Sequence, residues 1–207
     1  MPYFHKDNVN LLFIHIPKTG GSSLQNYFCN KYGILLNNNS LCDFTDKIDI
    51  KTSLQHLTYK DILKYKDQLN VNLNNIEIIT IVRNPYTRII SDLFFYKLIN
   101  INNSKEDVYN IMQKYIKSNP DNHSLPQYMF LLNENDNLLH NMKILHTESL
   151  NSDMHNIGYT DFNINVNKNE NNIDYYKYIN SDSITCINNY YNIDFILFNY
   201  PKIQSCP

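Results

Sequence analysis

Residues 13–24 read FIHIPKTGGSSL, and this short stretch decides the fold expected of the chain. The apolar run at residues 10–16 stops at Pro17, which is typical of a buried strand that gives way to a turn. From Ser22 onward the apolar side chains recur at helical spacing. The two glycines therefore lie between a strand and a helix, a unit that builds α/β folds.

The turn between this strand and helix has the composition of an anion-binding loop. The first backbone N–H groups of a helix have no partner within it, and the helix macrodipole adds positive potential there. Gly20 and Gly21 let the backbone approach an anion closely, and Lys18 supplies a positive charge. Hydroxyl donors come from Thr19, Ser22 and Ser23. The structural alternative is a plain tight turn in which Ser22 caps the helix.

The rest of the sequence alternates between strand and helix signals. The clearest strand is IEIITIV at residues 76–82, whose continuous β-branched character predicts burial on both faces, as in a parallel sheet. A helix is predicted from Pro85, because the first helical turn tolerates proline. Further predictions are helices at 59–69, 106–117 and 183–191, a strand at 142–146, weaker strands at 34–36 and 52–56, and apolar segments at 128–132 and 194–200. The alternation predicts one α/β domain over residues 1–207 with a central parallel sheet.

Charge and hydropathy limit the partners to be expected. The formal net charge is −2, which argues against a nucleic-acid binder that relies on a general positive field. No window approaches the roughly 18 continuous apolar residues of a membrane span. Residues 1–10 lack the apolar segment of a signal peptide. The sequence therefore predicts a soluble, cytoplasmic protein without a membrane span.

The cysteines give no sign of a metal site. They form no Cys-x-x-Cys pair and have no histidine spacing that suggests zinc, so free thiols and no metal are expected. A disulfide stays open as the alternative. The four residues are Cys29, Cys42, Cys186 and Cys206.

The place of the lysine separates this loop from that of nucleoside triphosphatases. Their loop reads G-x-x-x-x-G-K-[ST], whereas Lys18 precedes Gly20. That order resembles the 5′-phosphosulfate loop of sulfotransferases that use 3′-phosphoadenosine 5′-phosphosulfate (PAPS). HIPKTGGSS is most similar to the version in the Golgi carbohydrate (heparan and chondroitin) sulfotransferases. The resemblance implies a P-loop-like three-layer α/β/α domain. Because the sequence lacks those relatives' membrane anchor, it also implies a short soluble member of viral or bacterial style.

A second anion site is expected in the segment IVRNPYTRIISDLFFYK. Arg83 follows the strongest strand, where ligands of open α/β sheets bind, and Ser91 lies eight positions later in the next helix. Arg88 and Ser91 are three residues apart on one helix face, so both can approach one phosphate. The pattern resembles the family's 3′-phosphate motif, in which Arg83 and Ser91 occupy the binding positions. The structural alternative is an arginine at a strand end and a serine on a solvated face.

Further segments extend the resemblance over most of the chain. SLQHLTYKDI resembles the family segment that carries a catalytic histidine, which implies His56 as the general base. NHSLPQYMFL, ILHTESL and YYNIDFILFNY are similar to later family segments, and they imply acceptor-binding roles for His123, Gln127 and Glu148. Structural roles for Gln127 and Glu148 are equally open. Lys168 is a candidate for the adenine or 3′-phosphate, and a solvated loop lysine is the alternative.

The other histidines have structural interpretations. His15 alternates with apolar neighbours in the first strand and is interpreted as a packed residue or as one that supports the site residues from behind. His123 is the second candidate for the base. Surface or partly buried positions are expected for His5, His140, His146 and His155.

The resemblance implies transfer of a sulfuryl group from PAPS to an acceptor hydroxyl, with PAP as the product and no metal. Lys18 is then both a donor ligand and a catalytic residue, because it can compensate charge on the bridging oxygen. A carbohydrate hydroxyl is the expected acceptor. Two other functions stay open: an ATP-dependent kinase of a nucleotide or small molecule, and a PAPS-binding protein without activity. The identity of the acceptor and the oligomeric state are left open by the sequence.

Overall fold

A four-stranded sheet organises the chain, and the loop of residues 17–20 follows its second strand. The computed structural model describes residues 2–34, 48–164 and 173–204. The strands are β1 (Tyr3–Lys6), β2 (Val9–Ile14), β3 (Glu77–Val82) and β4 (Met142–His146), in the order β1-β2-β3-β4. The strands predicted at 10–16, 76–82 and 142–146 are thereby confirmed, the first ending at Ile14.

The sheet is mostly parallel, which agrees with the predicted central parallel sheet, and its one antiparallel strand lies at the edge. β2 pairs with β3 and β3 with β4 in parallel, whereas β1 runs antiparallel to β2 with Phe4 opposite Leu11. A two-residue turn joins β1 to β2, and its first residue, Asp7, has φ of 51°. Positive φ at this position is typical of tight hairpin turns.

Seven α-helices are found in the described part of the chain. They are α1 (Gly21–Tyr32), α2 (Tyr59–Tyr65), α3 (Pro85–Phe95), α4 (Lys105–Ser118), α5 (Leu150–Asn156), α6 (Ser181–Tyr190) and α7 (Asn192–Leu197). Short 3-10 turns cover Leu54–His56, Pro120–Asn122, Gln127–Leu131, Thr147–Ser149 and Tyr175–Tyr178. No helix in these described ranges has the length and apolar character needed to cross a bilayer.

Two local predictions are wrong. The segment 52–56 forms the 3-10 turn Leu54–His56 instead of a strand, and the helix predicted over 59–69 ends at Tyr65. Of the weak strand at 34–36, residues 35 and 36 lie outside the described residues, as do Cys42 and Cys206. Cys29 and Cys186 carry free thiols, as expected.

Side-chain caps explain where several helices begin. Thr58 and Ser104 form capping boxes at the starts of α2 and α4, each with an aspartate at the third helical position. Asn84 caps α3 by accepting a hydrogen bond from the backbone N–H of Tyr86, and Pro85 occupies the first helical position. The Asn84 cap starts α3 directly after the carboxyl end of β3.

Alternate residues of the central strands feed two cores on opposite faces of the sheet. Leu12 and Ile14 of β2 pack into one core with residues of α2 and the turn Gln127–Leu131. Leu11 and Phe13 pack into the other, which includes residues of α1 and α5. A third cluster joins α3, α4, α6 and α7. The carboxyl ends of β2 and β3 are thus held rigidly where the loop and α3 begin.

Candidate active site

A cavity of about 360 Å³ brings the anion-binding loop together with three histidines. The loop after β2 forms one wall, the turn Leu54–His56 another, and the end of α3 with the segment after α4 completes it. Its lining residues are His15, Pro17, Lys18, Gly20, Gly21, Ser22, Gln55, His56, Phe95, Tyr96, Asp121 and His123. The structure therefore places much of the predicted loop beside both candidate bases.

The backbone of the loop is bent at Lys18 and Gly20, both of which have positive φ, 64° and 86°. Gly20 precedes the first turn of α1 and provides no side-chain cap, so the N–H groups of Gly21 and Ser22 stay available to a ligand, whereas that of Ser23 donates to the Gly20 carbonyl at 3.2 Å. At Gly21 a Cβ would lie 2.4 Å from the ring of His15, so no larger residue fits there without movement. The loop can approach an anion with bare backbone.

The hydroxyl groups of the loop are not equivalent. The Thr19 hydroxyl is buried and donates a hydrogen bond to the Ile16 carbonyl at 2.9 Å. The Thr147 hydroxyl donates to the Thr19 carbonyl at 2.7 Å, which ties the loop to the end of β4. Ser22 is exposed and lines the cavity, whereas Ser23 is half-buried within α1. Ser22 is therefore the loop hydroxyl placed to contact a ligand in the cavity.

Lys18 extends its ammonium group along the cavity wall. Its Nζ lies 4.1 Å from the centroid of the Phe95 ring, a cation–π contact. Burial lowers the pKa of Lys18, the Arg83 guanidinium lowers it further, and Asp92 opposes both. A bound anion would stabilise the charged form and compensate for this burial.

His56 is held by a carboxylate. Its Nδ1 lies 2.7 Å from Oδ2 of Asp121, which also accepts a hydrogen bond from the Ser53 hydroxyl at 2.7 Å. A proton on Nδ1 is the tautomer that satisfies the carboxylate, and it leaves Nε2 as the free acceptor. Burial lowers the pKa of His56 and outweighs the opposing effect of Asp121, so the imidazole is neutral at pH 7. The His56 and Ser53 hydrogen bonds hold the pKa of Asp121 below its usual value, although burial alone would raise it.

A second carboxylate and histidine pair lies beside the first. His123 Nδ1 is 2.7 Å from Oδ1 of Asp92, and the hydroxyl of Tyr115 donates to Oδ2 of the same carboxylate at 2.5 Å. The His123 ring stacks on Phe95, with centroids 5.6 Å apart and planes inclined by 12°. The rings of His123 and His56 meet edge to face at 4.6 Å.

His15 closes the inner end of the cavity. Its ring stacks on Phe13 and lies 5.5 Å from that of His56. Burial lowers the pKa of His15 well below its ordinary value, and the neighbouring His56 adds to the effect. Its Nδ1 is buried without a hydrogen-bond partner among the described residues. The interpretation of His15 as a packed residue is confirmed.

Arg83 connects the second predicted anion site to the loop. Its Nη1 donates to the Lys18 carbonyl at 3.0 Å, and its Nε donates to the Thr87 hydroxyl at 3.1 Å. Ser91 is buried on α3, and its hydroxyl forms no hydrogen bond within the described ranges. The guanidinium of Arg83 is therefore fixed against the same loop that lines the cavity.

A family model described as the sulfotransferase family matches residues 1–130. The chain belongs to this family. The match covers the loop, His56, Arg83, Asp121 and His123, which together form or adjoin the cavity. Searches of curated proteins and of solved structures returned no match.

Arg88, predicted from the sequence to lie near the second anion site, makes buried contacts with three backbone carbonyls. Its buried guanidinium donates to the carbonyls of Pro17, His123 and Leu125 at 2.7 to 3.1 Å. These bonds use Nε and Nη2 and tie the turn before the loop to the segment around His123, which favours a structural role for Arg88 over contact with an anion. Arg88 thus binds two cavity walls together.

Two further predicted site residues of the sulfotransferase, Gln127 and Glu148, are not among the residues that line the cavity. Gln127 is buried, and its side-chain amide accepts from the Arg83 N–H and donates to the Arg83 carbonyl, both at 2.9 Å. Glu148 accepts hydrogen bonds from the Asn84 N–H and the Tyr200 hydroxyl. These contacts favour the bracing role for both residues over contact with the acceptor. Lys168 lies outside the described residues.

Sequence reasoning missed the two carboxylates that orient the histidines. Asp121 is far from His56 in the chain, and nothing in its surroundings distinguishes it from a turn aspartate after a proline. Asp92 lies one position after Ser91 in an otherwise apolar helix segment. An acidic residue on the apolar face of a helix is the signal that could have identified it. A charged residue on the apolar face of a helix needs a partner, and here the partners are Tyr115 and His123.

Proposed function

We propose that this chain is an active sulfotransferase that moves the sulfuryl group from PAPS to an acceptor hydroxyl. Membership of the family supports sulfuryl transfer in general. The observation that carries the specific proposal is one cavity that contains the bare loop at Lys18–Gly21 and the oriented imidazole of His56. This pairing supplies both requirements of in-line transfer, a cradle for the leaving phosphate and a base for the acceptor.

One bond forms and one bond breaks in the proposed transfer. The acceptor oxygen attacks sulfur on the side opposite the bridging oxygen, while His56 Nε2 takes the hydroxyl proton. The bond between sulfur and the bridging oxygen breaks, and PAP leaves with the bonding pair on its 5′-phosphate. Lys18 and the N–H groups at the start of α1 stabilise that charge. The products are the sulfate ester, PAP and a protonated His56. No metal is required for these steps.

Donor binding is divided between the two predicted anion sites. The loop, with Lys18, Thr19, Gly20, Gly21, Ser22 and Ser23, holds the 5′-phosphosulfate in this proposal. Arg83 and Ser91 hold the 3′-phosphate, and Lys168 contributes from outside the described residues. The hydrogen bond from Arg83 to the Lys18 carbonyl supports this arrangement, because it couples the two anion sites.

The acceptor is proposed to be a carbohydrate hydroxyl. The exposed ring of Phe95 lines the cavity between Lys18 and His123, and a flat apolar face of this kind suits a sugar ring. His123 is proposed to orient the hydroxyl toward His56. We further propose a single soluble cytoplasmic domain of the P-loop-like three-layer type, which the cores on both sheet faces support.

Ligand-dependent stabilisation tests the donor. We expect PAP and PAPS to raise the Tm of the full chain, and ATP with Mg²⁺ to leave it unchanged. Stabilisation by ATP with Mg²⁺ alone would instead support a kinase. Stabilisation by PAP without transfer to any acceptor would support a binding protein that lacks activity.

Transfer of radiolabelled sulfate from PAPS to a panel of polysaccharide, glycolipid, tyrosine-peptide and simple alcohol acceptors tests the chemistry. His56→Ala should lower kcat by about 10²–10⁴-fold with the affinity for PAP largely kept, because only the base is removed. Lys18→Ala should lower kcat by about 10²–10³-fold and weaken PAP binding as well. His140→Ala, which removes an exposed histidine outside the cavity, is the control and should match the wild type. Full activity of the His56 variant would disprove the base assignment.

A further inference from the structure

Two imidazoles and one carboxylate converge at the inner wall of the cavity. His56, Asp121 and His123 each offer one ligand atom, and these atoms all lie within 4.8 Å of one another. Both histidines are buried to about 95%, whereas Asp121 is half-buried, so the group faces the cavity instead of bulk solvent. Two histidines with one carboxylate are a common three-ligand set for divalent transition metals in proteins.

We propose that His56, Asp121 and His123 form a binding site for a divalent transition-metal ion of the Zn²⁺ class. The ion takes three protein ligands, and its remaining positions open to the cavity. This site goes beyond sulfuryl transfer, since the proposed reaction needs no metal. It is a second use of residues that are already held in place.

The surroundings of the three ligands suit coordination. Asp92 accepts a hydrogen bond at Nδ1 of His123, which fixes the ring and leaves Nε2 for the ion. The Asp121 carboxylate has two oxygens, and Oδ1 accepts from the Ser53 N–H at 2.5 Å. Oδ2 can therefore turn toward an ion while Oδ1 keeps that contact with Ser53. Ligand atoms within 4.8 Å need only side-chain rotation to reach the roughly 2.0–2.2 Å bonds of zinc.

The same cavity also explains why the metal would inhibit and not assist transfer. Lys18 lines the cavity and opposes any dication, so binding depends on strong ligands. Because two of the three ligands are imidazole nitrogens, hard ions that prefer oxygen ligands, such as Mg²⁺, are disfavoured. In the proposed site the ion binds His56 at Nδ1, beside Oδ2 of Asp121. The ring proton then resides on Nε2, which can no longer accept the hydroxyl proton. This consequence rests on the proposed function, whereas the site itself does not.

Co²⁺ serves as a spectroscopic probe of the metal-free full chain. We expect saturable binding of one Co²⁺ per chain, visible absorption bands, and displacement by Zn²⁺. His123→Ala and Asp121→Asn should each weaken binding by at least about 10-fold, because each removes one of three ligands. His140→Ala should bind as the wild type does. Binding that is absent, or that is unaffected by both ligand variants, would overturn the site.

Two measurements keep the test decisive if a ligand variant fails to fold. His56→Gln removes a ligand and keeps a hydrogen-bonding side chain, and it should also lose the Co²⁺ bands. Anomalous diffraction at the zinc edge from wild-type crystals grown with Zn²⁺ should place the ion between the three residues, and a peak elsewhere would refute the proposal. Metal binding without any sulfate transfer would leave the site standing and count against the proposed function alone.

Discussion

Asp121 determines which nitrogen of His56 faces the cavity. Its carboxylate accepts a hydrogen bond from Nδ1 of His56, so the free lone pair lies on Nε2, where an acceptor hydroxyl can reach it. The residue is held in a turn in which Asn119, Asp121 and Asn122 all have positive φ. Ser53 donates to Asp121 twice, from its backbone N–H and from its hydroxyl. A strained turn and two donors thus fix one carboxylate behind one imidazole.

Asp121→Asn should therefore change the pH dependence of transfer. The pKa of His56 is lowered by burial from an ordinary value of 6.5, so activity should rise with pH through a midpoint below 6.5 and stay level above it. Loss of the anion removes the effect that raises this pKa, so the midpoint should move to lower pH and kcat should fall about 10²-fold. The measurement is kcat against pH at saturating PAPS.

Asp161→Asn is the matched control, because Asp161 is an exposed carboxylate that pairs with Lys31 at the surface. Its pH profile should coincide with that of the wild type. A wild-type profile in the Asp121 variant would show that the carboxylate does not act on the base.

Some residues of the site could be predicted from the sequence and others could not. The loop residues follow from local composition, since a strand, two glycines and a lysine are adjacent in the chain. Asp121 and Asp92 do not, because their roles depend on contacts with His56 and His123 that only the folded chain creates. The bracing contacts of Arg88 were missed for the same reason: its helix face was predicted, but the three carbonyls opposite it were not visible in the sequence.

At the element scale, the junction of the loop with α1 depends on two glycines for different reasons. Gly20 has φ of 86° with open space around its Cα, so a side chain there meets conformational strain alone. Gly21 is limited by space, because a Cβ would lie 2.4 Å from the His15 ring and 3.0 Å from Phe13. His15 is buried and cannot withdraw into solvent, so helix, strand and loop must move together.

Gly21→Ala should destabilise the fold by about 1–3 kcal/mol and weaken PAP binding, because overpacking displaces the start of α1 from the loop. Unfolding by urea gives the stability, and calorimetric titration gives the PAP affinity. Gly158→Ala is the control: Gly158 has φ of 98° with open space and lies outside the cavity lining. It should cost about 1 kcal/mol through strain and leave PAP affinity unchanged. Equal PAP affinity in the two variants would contradict the packing argument.

Elements with one dominant local signal were the ones that the sequence predicted well. The β-branched run of β3 and the proline at the start of α3 both specify their conformation locally. Strand β1 has only four residues, and its stability comes from pairing with β2, which no local pattern records. The segment 52–56 has no dominant local signal, and it forms a 3-10 turn whose His56 is held by Asp121, a contact that is distant in the sequence.

For the whole molecule, the buried histidines couple stability to pH. His15 and His56 are buried in the cavity wall, and burial lowers the pKa of each below its ordinary value of 6.5. The unfolded chain therefore binds more protons than the folded chain once the pH falls below about 6.5. Acidification lowers the free energy of unfolding wherever the unfolded state binds more protons. The fold should therefore become less stable as the pH falls from about 6.5 to the pKa of each folded histidine.

Each histidine should contribute a slope of up to about 1.4 kcal/mol per pH unit in that window. His15→Phe tests the share of one residue, because a phenyl ring can keep the stack on Phe13 and has no proton to bind. The free energy of unfolding in urea is measured between about pH 5 and 7.5. It should fall less steeply with acidification in this variant, because unfolding then takes up about one proton fewer. His140→Gln removes an exposed histidine and should leave the wild-type slope. An unchanged slope in His15→Phe would mean that the acid sensitivity arises elsewhere, and that the neutral, buried His15 ring does not set the lower pH limit of the fold.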